Sequence, residues 1–471
     1  MFPIRPVPKT YSWGSDHRLQ ELFGVGTDGP LAEMWFSGHA ASPSPVDVDG
    51  ETMALDEAIR RAPELMVGTA VSETWGPVLP YLFKIISARI PLSLQVHPLD
   101  FEARAGFNRE NAAGIPLDSP VRSFKDTLAK HEMVVALEDF EASVGFAPRP
   151  VQLRALNSID HPLARAMAHE IAGGESGAVS MHRGRWSLRS RYAEAPSLVD
   201  DSDLDTDMPA SARVWGHTQR RIFRAFRLAV TAAPDQAEGL TDALRAAAST
   251  CADRRAGRIV GHALQAAEAF PGDPSVLCVA MLNAVHLSAG ESVFIPAGTP
   301  HCYLHGTGAE IMTNSDNVLR AGMTPKHKDI PNLLRNLNCT PAPPIDPTAH
   351  TMQTLLAPNL AVYRPDLREF MLSCGQVGTD ADKWWGKVAG RQRTTMTTYA
   401  QNVAPATAIP AVGGPRVLVC VSGRVRCTSD TQSVVVGKGE SYFIPASDGR
   451  ARVTSVGGGE PGMYLLASTS L

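Results

Sequence analysis

An excess of charge of either sign, paired cysteines and long apolar runs are all missing from this chain, and each gap excludes something. Lys and Arg number 44 against 48 Asp and Glu, a formal net charge of -4. A broad nucleic-acid footprint needs a basic face, so no nucleic-acid partner is expected. The seven cysteines form no CxxC pair, and an odd count without a secretory leader suggests reduced thiols in a cytoplasmic compartment. No run approaches the roughly 18 apolar residues of a membrane span. The opening MFPIRPVPKTYSWG has no apolar stretch between a basic start and a small-residue cleavage site. A soluble cytoplasmic protein with no membrane partner is the expectation. Aromatics are few, at 6% beside 44% hydrophobic and 20% charged residues, the balance of an ordinary globular protein rather than a disordered or fibrous one.

At 471 residues the chain is too long for one hydrophobic core, and about two to four domains are expected. Between 79 and 146 short apolar runs such as YLFKII and EMVVALE are punctuated by Pro, Gly, Asn and Asp, the pattern of antiparallel strands. The character changes over 150–270, where GLTDALRAAAST puts Leu240, Ala243, Leu244 and Ala247 on one helical face. This reads as a helical insertion into a β-domain made of 1–149 and 271–337. NCTPAPPIDPTAH, at 338–350, is dense in proline and reads as an extended connection into a C-terminal β-domain, 338–471. LSAGESVFIPA at 287–297 returns as VGKGESYFIPA at 436–446. A glycine turn, a short buried strand and a proline exit are repeated, as in small barrels and jelly rolls. The fold class expected is therefore mainly β, two related jelly-roll barrels of the cupin type with an inserted helical domain. Only the first copy continues into a histidine, His301, so the C-terminal barrel is expected to lack a metal site.

Chemistry concentrates in two places. PLSLQVHPLD sets Gln95 and His97 two apart, which on a strand points both to one face. IPAGTPHCYLHGTGAEIMTNSDNVLRAGMTPK places His301 near Tyr303, Glu310, Arg320 and Lys326, and AKHEMVVAL supplies Glu132. Imidazole and carboxylate donors from different strands suit Zn²⁺ or a neighbouring divalent ion. Taken singly each has a plainer reading: a histidine is more often a hydrogen-bonded core or surface residue, and an amide such as that of Gln95 is a poor transition-metal donor. Lys84 and Lys130 stand in apolar surroundings, where a cation needs an anionic partner. A bound phosphate would supply one, although a lysine can also snorkel to the surface. Arg320 could equally make a loop salt bridge, and Glu310 could act as a base or merely orient a cation.

YSWGS at 11–15, AEMWFSGHAASPS at 32–44, LFKIISARIPLSLQVHP at 82–98, KHEM at 130–133, FEASVGF at 140–146, FPGDPSVLCVAMLN at 270–283, and IPAGTPHCYLHG through LRAGMTPK span most of the chain. In these motifs the sequence resembles the type I mannose-6-phosphate isomerases, zinc enzymes of the cupin superfamily that interconvert mannose 6-phosphate and fructose 6-phosphate. The resemblance implies a single Zn²⁺ per chain held by Gln95, His97, Glu132 and His301. It implies a sugar-phosphate pocket lined by Trp13, Lys84, Ser93, Lys130, Tyr303, Glu310, Arg320 and Lys326, with the lysines and Ser93 suited to phosphate. It also implies a role in carbohydrate metabolism, GDP-mannose biosynthesis included. Arg320 is expected to stabilise the negative oxygen of an enediol, and Glu310 is the chosen base. The sequence leaves the oligomeric state open and is compatible with a monomer.

Two departures stand out. KHEM replaces the family's KPEM, and HPLD replaces HPDK; His131 should point away from the metal, while position 100 loses a positive charge at the mouth. DSDLDTD, at 201–207, is spaced like a calcium loop but lacks its glycine and terminal carboxylate, so it reads as a solvated loop. Two other functions are weighed against the isomerase. A non-catalytic sugar-phosphate-binding cupin would keep the metal without turnover, and a cupin oxygenase would have no use for several pocket lysines.

Overall fold

HCYLHGTGAEIMT forms a thirteen-residue strand, His301–Thr313, that is the spine of the first barrel. Its second half pairs antiparallel with Tyr81–Ala88 on one side and Glu132–Ala136 on the other. Its first half pairs with Phe140–Phe146, and His301 alone meets Gln95 of Leu94–Val96. The strand changes partners around Gly306, which adopts φ +119°. A Cβ at that position would stand 2.5 Å from the Asp139 carbonyl oxygen, so only glycine allows the bend. One strand thereby delivers His301 to one end of the barrel interior and Glu310 farther along it.

The computed structural model describes residues 1–26, 28–173, 208–348, 359–378, 406–408, 413–457 and 461–471; DSDLDTD lies outside them. Helices Arg149–Ser158, Pro162–Ala172, His217–Thr231, Leu240–Thr250 and Arg254–Ala269 occupy the segment between the strands at 140–146 and 282–287. Leu240, Leu244 and Ala247 are buried with Ala243 packed beside them, the face that the apolar spacing describes. This helical core is continuous with Leu94, Val96, Leu277 and Leu319 under the first barrel. The helices and the strands that carry Gln95 and His301 therefore share one interior.

The C-terminal β-domain is a six-stranded sheet, centred on Arg416–Ser422 and Gly462–Ser468, with a four-stranded sheet that includes Arg424–Ser429 and Ala451–Ser455. Phe2–Pro3 pairs with Tyr442 and Phe443, so the chain's first strand is an edge of this second sheet. Met34, Phe83 and Ile311 of the first barrel pack in one cluster with Tyr363, Leu372, Val417 and Leu465 of the second.

The sequence repeat is also a structural one. In the first copy Ser288 N–H donates to Glu291 Oε2 at 2.7 Å, and in the second Gly437 N–H donates to Glu440 Oε2 at 2.7 Å. The strands that follow pair in identical register: Ile295 opposes Glu132, and Ile444 opposes Arg416. Where the first barrel buries a carboxylate, the second buries a guanidinium that donates to the carbonyls of Pro445 and Gly449 at 2.9 and 2.7 Å.

Candidate metal centre and catalytic pocket

Register gathers the donors. Gln95 opposes His301 across one strand pair and Arg320 across another, His97 follows the same short strand, and Glu132 begins its own. His97 Nδ1 donates to the Asn317 carbonyl at 2.7 Å and His301 Nδ1 donates to the Thr299 carbonyl at 2.9 Å. A carbonyl can only accept, so both rings carry their proton on Nδ1 and present a bare Nε2. His97 Nε2 lies 3.0 Å from Glu132 Oε1, His301 Nε2 lies 3.1 Å from Glu132 Oε2, and the Gln95 side-chain nitrogen is 3.2 Å from His301 Nε2. Ligand atoms of His97, Glu132 and His301 all fall within 4.8 Å of one another.

The Gln95 amide donates to His301 Nε2, but the two imidazole–carboxylate contacts set lone pair against lone pair. His97 Nε2 and Glu132 Oε2 are buried without a hydrogen bond, an arrangement that is unfavourable unless a cation lies between them. Burial pushes the His97 imidazole down to about 4, against the pull of Glu132, which keeps the ring in its neutral, ligating form. Burial works against the Glu132 carboxylate, but its surroundings, His97 and the Lys130 ammonium at 3.0 Å foremost, outweigh it and hold the group well below the usual carboxylate range. Two neutral imidazoles, a carboxylate and an amide oxygen suit a divalent ion such as Zn²⁺.

A second cluster lies along the spine. Tyr303 O–H donates to Glu310 Oε1 at 2.7 Å, and Lys84 Nζ lies 2.7 Å from Glu310 Oε2. Lys84 also reaches Glu33 Oε1 at 3.2 Å, and Trp35 Nε1 donates to Glu33 Oε2 at 2.6 Å. The register makes the row: Glu310 opposes Lys84, and Lys84 opposes Trp35. Burial works against the Lys84 ammonium, but Glu310 and Glu33 outweigh it and hold its pKa above the ordinary value. Burial raises Glu310 despite Lys84 beside it.

The two buried lysines therefore have protein partners, Lys84 with Glu310 and Glu33, and Lys130 with Glu132 at 3.0 Å. A phosphate is not needed to account for either. Cations at the mouth are different. Arg320 is half-buried and Lys326 exposed, and among the described residues neither makes an ion pair. Burial, then Arg320, lowers Lys326, with Lys125 adding to the effect. Lys326 Nζ sits 5.3 Å over the Tyr11 ring, which stacks on Trp13 at 5.6 Å. Ser93 is half-buried two residues before Gln95, with no side-chain bond to the cluster. His131 stacks on Phe294 and accepts from Ala297 N–H at 3.2 Å, so it belongs to the wall behind the metal site. Asp100 pairs with Arg104 along its own helix.

Comparison with known proteins decides the family. Residues 1–149 match the model of the phosphomannose isomerase type I catalytic domain. The mannose-6-phosphate isomerase of Escherichia coli K12 is 32% identical over 332 residues, 70% of this chain and 72% of that one. The chain belongs to the type I mannose-6-phosphate isomerases. The Salmonella typhimurium member is 29% identical over 95% of this chain and 96% of its own. A crystal structure of that mannose 6-phosphate isomerase, bound to its substrate F6P and a zinc atom, superposes with a TM-score of 0.74 at 26% identity, covering 100% of both chains.

Within this family framework the sequence reading overlooked Glu33, Lys125 and Asn317. Glu33 had a signal, a carboxylate two residues from Trp35 in a strand-like EMWF run, which puts both on one face. Lys125 and Asn317 lie in loops, where no periodicity marks them.

Proposed function

We propose that the chain is a zinc-dependent aldose–ketose isomerase that interconverts mannose 6-phosphate and fructose 6-phosphate through an enediol. The observation that carries this reading is the pair of bare Nε2 atoms facing the Glu132 carboxylate at 3.0 and 3.1 Å, beside a buried base. Gln95, His97, Glu132 and His301 would hold one zinc ion per chain. When bound, the ion supplies a Lewis acid that polarises the sugar oxygens.

The remaining chemistry belongs to side chains. Glu310 takes the proton from C2 of mannose 6-phosphate and returns it to C1, while the hydroxyl proton passes from O2 to O1 and the carbonyl ends at C2. Burial makes Glu310 a stronger base than an exposed carboxylate. Tyr303 and Lys84 each hold one of its oxygens, so it meets the sugar in one orientation. The Arg320 guanidinium is placed to offset charge on the enediol oxygens. Lys130, already bonded to Glu132, orients that carboxylate.

We assign the phosphate to Lys326, with Lys125 and Arg320 beside it, because among the described residues none of the three pairs with a carboxylate. Trp13 and Tyr11 would wall the sugar, and Ser93 would contribute a hydroxyl from the opposite edge. The chain reads as a metal-binding barrel, 1–149 and 271–337, interrupted by a helical domain at 150–270 and followed by a β-domain at 338–471 in which the described residues gather no metal-ligating group. Its seven free cysteines suit a reducing cytoplasm. Among the described residues no helix is long and apolar enough to cross a membrane.

A coupled assay with mannose 6-phosphate and fructose 6-phosphate, run before and after chelation and again after zinc is restored, tests the reading. Activity that falls with chelation and returns with zinc supports it. Uptake of metal and sugar phosphate without turnover would leave only a binding protein.

A further inference from the structure

One buried residue beside the metal centre is hydrogen-bonded through its side-chain oxygen and nitrogen and through its backbone N–H and carbonyl. Asn317 is fully buried between the strands that carry His301 and Arg320. Its Oδ1 accepts from the backbone N–H groups of Lys125 and Asp126 at 2.7 and 3.2 Å. Its Nδ2 donates to the Asp126 carbonyl, Asp126 Oδ1 and the Leu128 carbonyl at 3.0, 2.9 and 3.0 Å. Ser315 Oγ closes the knot, donating to both Asp126 oxygens at 2.9 Å and accepting from Asn317 N–H at 3.2 Å. Meanwhile the Asn317 carbonyl accepts from His97 Nδ1 at 2.7 Å.

Only an amide satisfies this arrangement. Asp would turn an acceptor oxygen toward a carboxylate and two carbonyls, and Ser or Ala could not bridge both sides. The knot also ties together chain segments that the centre needs. The loop at 125–128 runs on into Lys130 and Glu132, the Asn317 carbonyl sets the His97 tautomer, and Arg320 follows three residues later.

We infer that Asn317 is a positioning residue of the metal centre: its amide locks the 125–128 loop onto the 315–317 segment, and its carbonyl aims His97 Nε2 at the point that Glu132 and His301 also face. This rests on the zinc-site reading above. The contact belongs to the class in which a ligating imidazole is oriented by the group on its other nitrogen, and losing such a group costs about 10–100-fold in metal affinity.

The test is a zinc titration against a competing chelator on wild type and Asn317→Ala, with circular dichroism to verify folding and cobalt substitution to read coordination from the visible spectrum. The expected result is a Kd for zinc raised by about 10–100-fold and a shifted cobalt spectrum. A folded Asn317→Ala protein with wild-type zinc affinity and cobalt spectrum, whatever its melting temperature, overturns the inference. Should Asn317→Ala not fold, Ser315→Ala takes its place. It removes one hydroxyl from the same knot, and a Kd raised by at least about threefold supports the inference while an unchanged Kd refutes it. If wild type itself takes up no zinc, the metal reading falls and this inference with it. Zinc uptake by wild type with an unaltered variant removes the positioning role alone.

Discussion

Glu310→Gln offers the sharpest test of the proton-transfer assignment, because the substitution keeps shape while removing basicity. A glutamine amide can accept from Lys84 and donate to the Tyr303 oxygen, so both 2.7 Å contacts have replacements. Lys84 loses one of its two carboxylates but keeps Glu33 at 3.2 Å, so it remains charged. Glu310 also stands outside the His97, Glu132 and His301 cluster, so zinc content should not change. What disappears is the base, and a positioned general base contributes about 10²–10⁴-fold. The expected loss in kcat is about a thousandfold, or about 4 kcal/mol on the barrier, with KM close to wild type. In D₂O, wild type should wash deuterium into the sugar carbons and Glu310→Gln should not. A zinc-loaded Glu310→Gln enzyme that keeps more than about a tenth of kcat, or still exchanges, would show that another group moves the proton.

Two further outcomes follow from the same geometry. His301→Ala should weaken zinc by more than about 100-fold, since a direct ligand matters more than its supports, and activity should go with it. Arg320→Ala should retain zinc by elemental analysis yet lose about 10²–10³ in kcat; a metal-free Arg320→Ala protein would contradict that division of roles. Stability should carry an acid signature from His262, buried against Ser143 Oγ at 3.0 Å. Burial, opposed by Glu141 and reinforced by Arg258 and His286, depresses it from 6.5 to about 4. A depressed histidine stays neutral in the fold while the unfolded chain takes a proton, so its contribution is intact above pH 6.5 and falls as pH drops toward 4. By pH 5 the loss is about 2 kcal/mol. Thermal unfolding of wild type should lose more between pH 7 and 5 than that of His262→Gln, and equal losses would refute the assignment.

The legible residues share a trait: each stands in or directly after a strand whose alternation or apolar context makes it conspicuous. Gln95 and His97 were conspicuous through their spacing, Glu132 through its place before MVVAL, and Lys84 through its charge in YLFKII. Their partners were harder to see. Glu33 pairs with Lys84 from 51 positions away. Asn317 bonds residues nearly two hundred positions earlier. Such separations are closed by sheet register and loop packing, which leave no local pattern. That is also why the requirement of Lys84 and Lys130 for an anion was readable and the identity of the anion was not. The requirement comes from burial, whereas the partners of Lys84, Glu33 and Glu310, come from the neighbouring strands and that of Lys130, Glu132, from its own segment.

The amino-acid sequence on its own determined the β character of both ends, the helical block between them, the repeat and the residue types able to bind a divalent ion. Those features are written in short-range spacing and in composition, which survive without a fold. Tertiary structure alone decided that His97 and His301 turn bare nitrogens toward one carboxylate, and that Glu310 lies between a lysine and a tyrosine. It also decided that the matching position of the second barrel holds Arg416. Strand pairing brings groups hundreds of residues apart to within 3 Å or so, and at that range orientation and charge settle the chemistry.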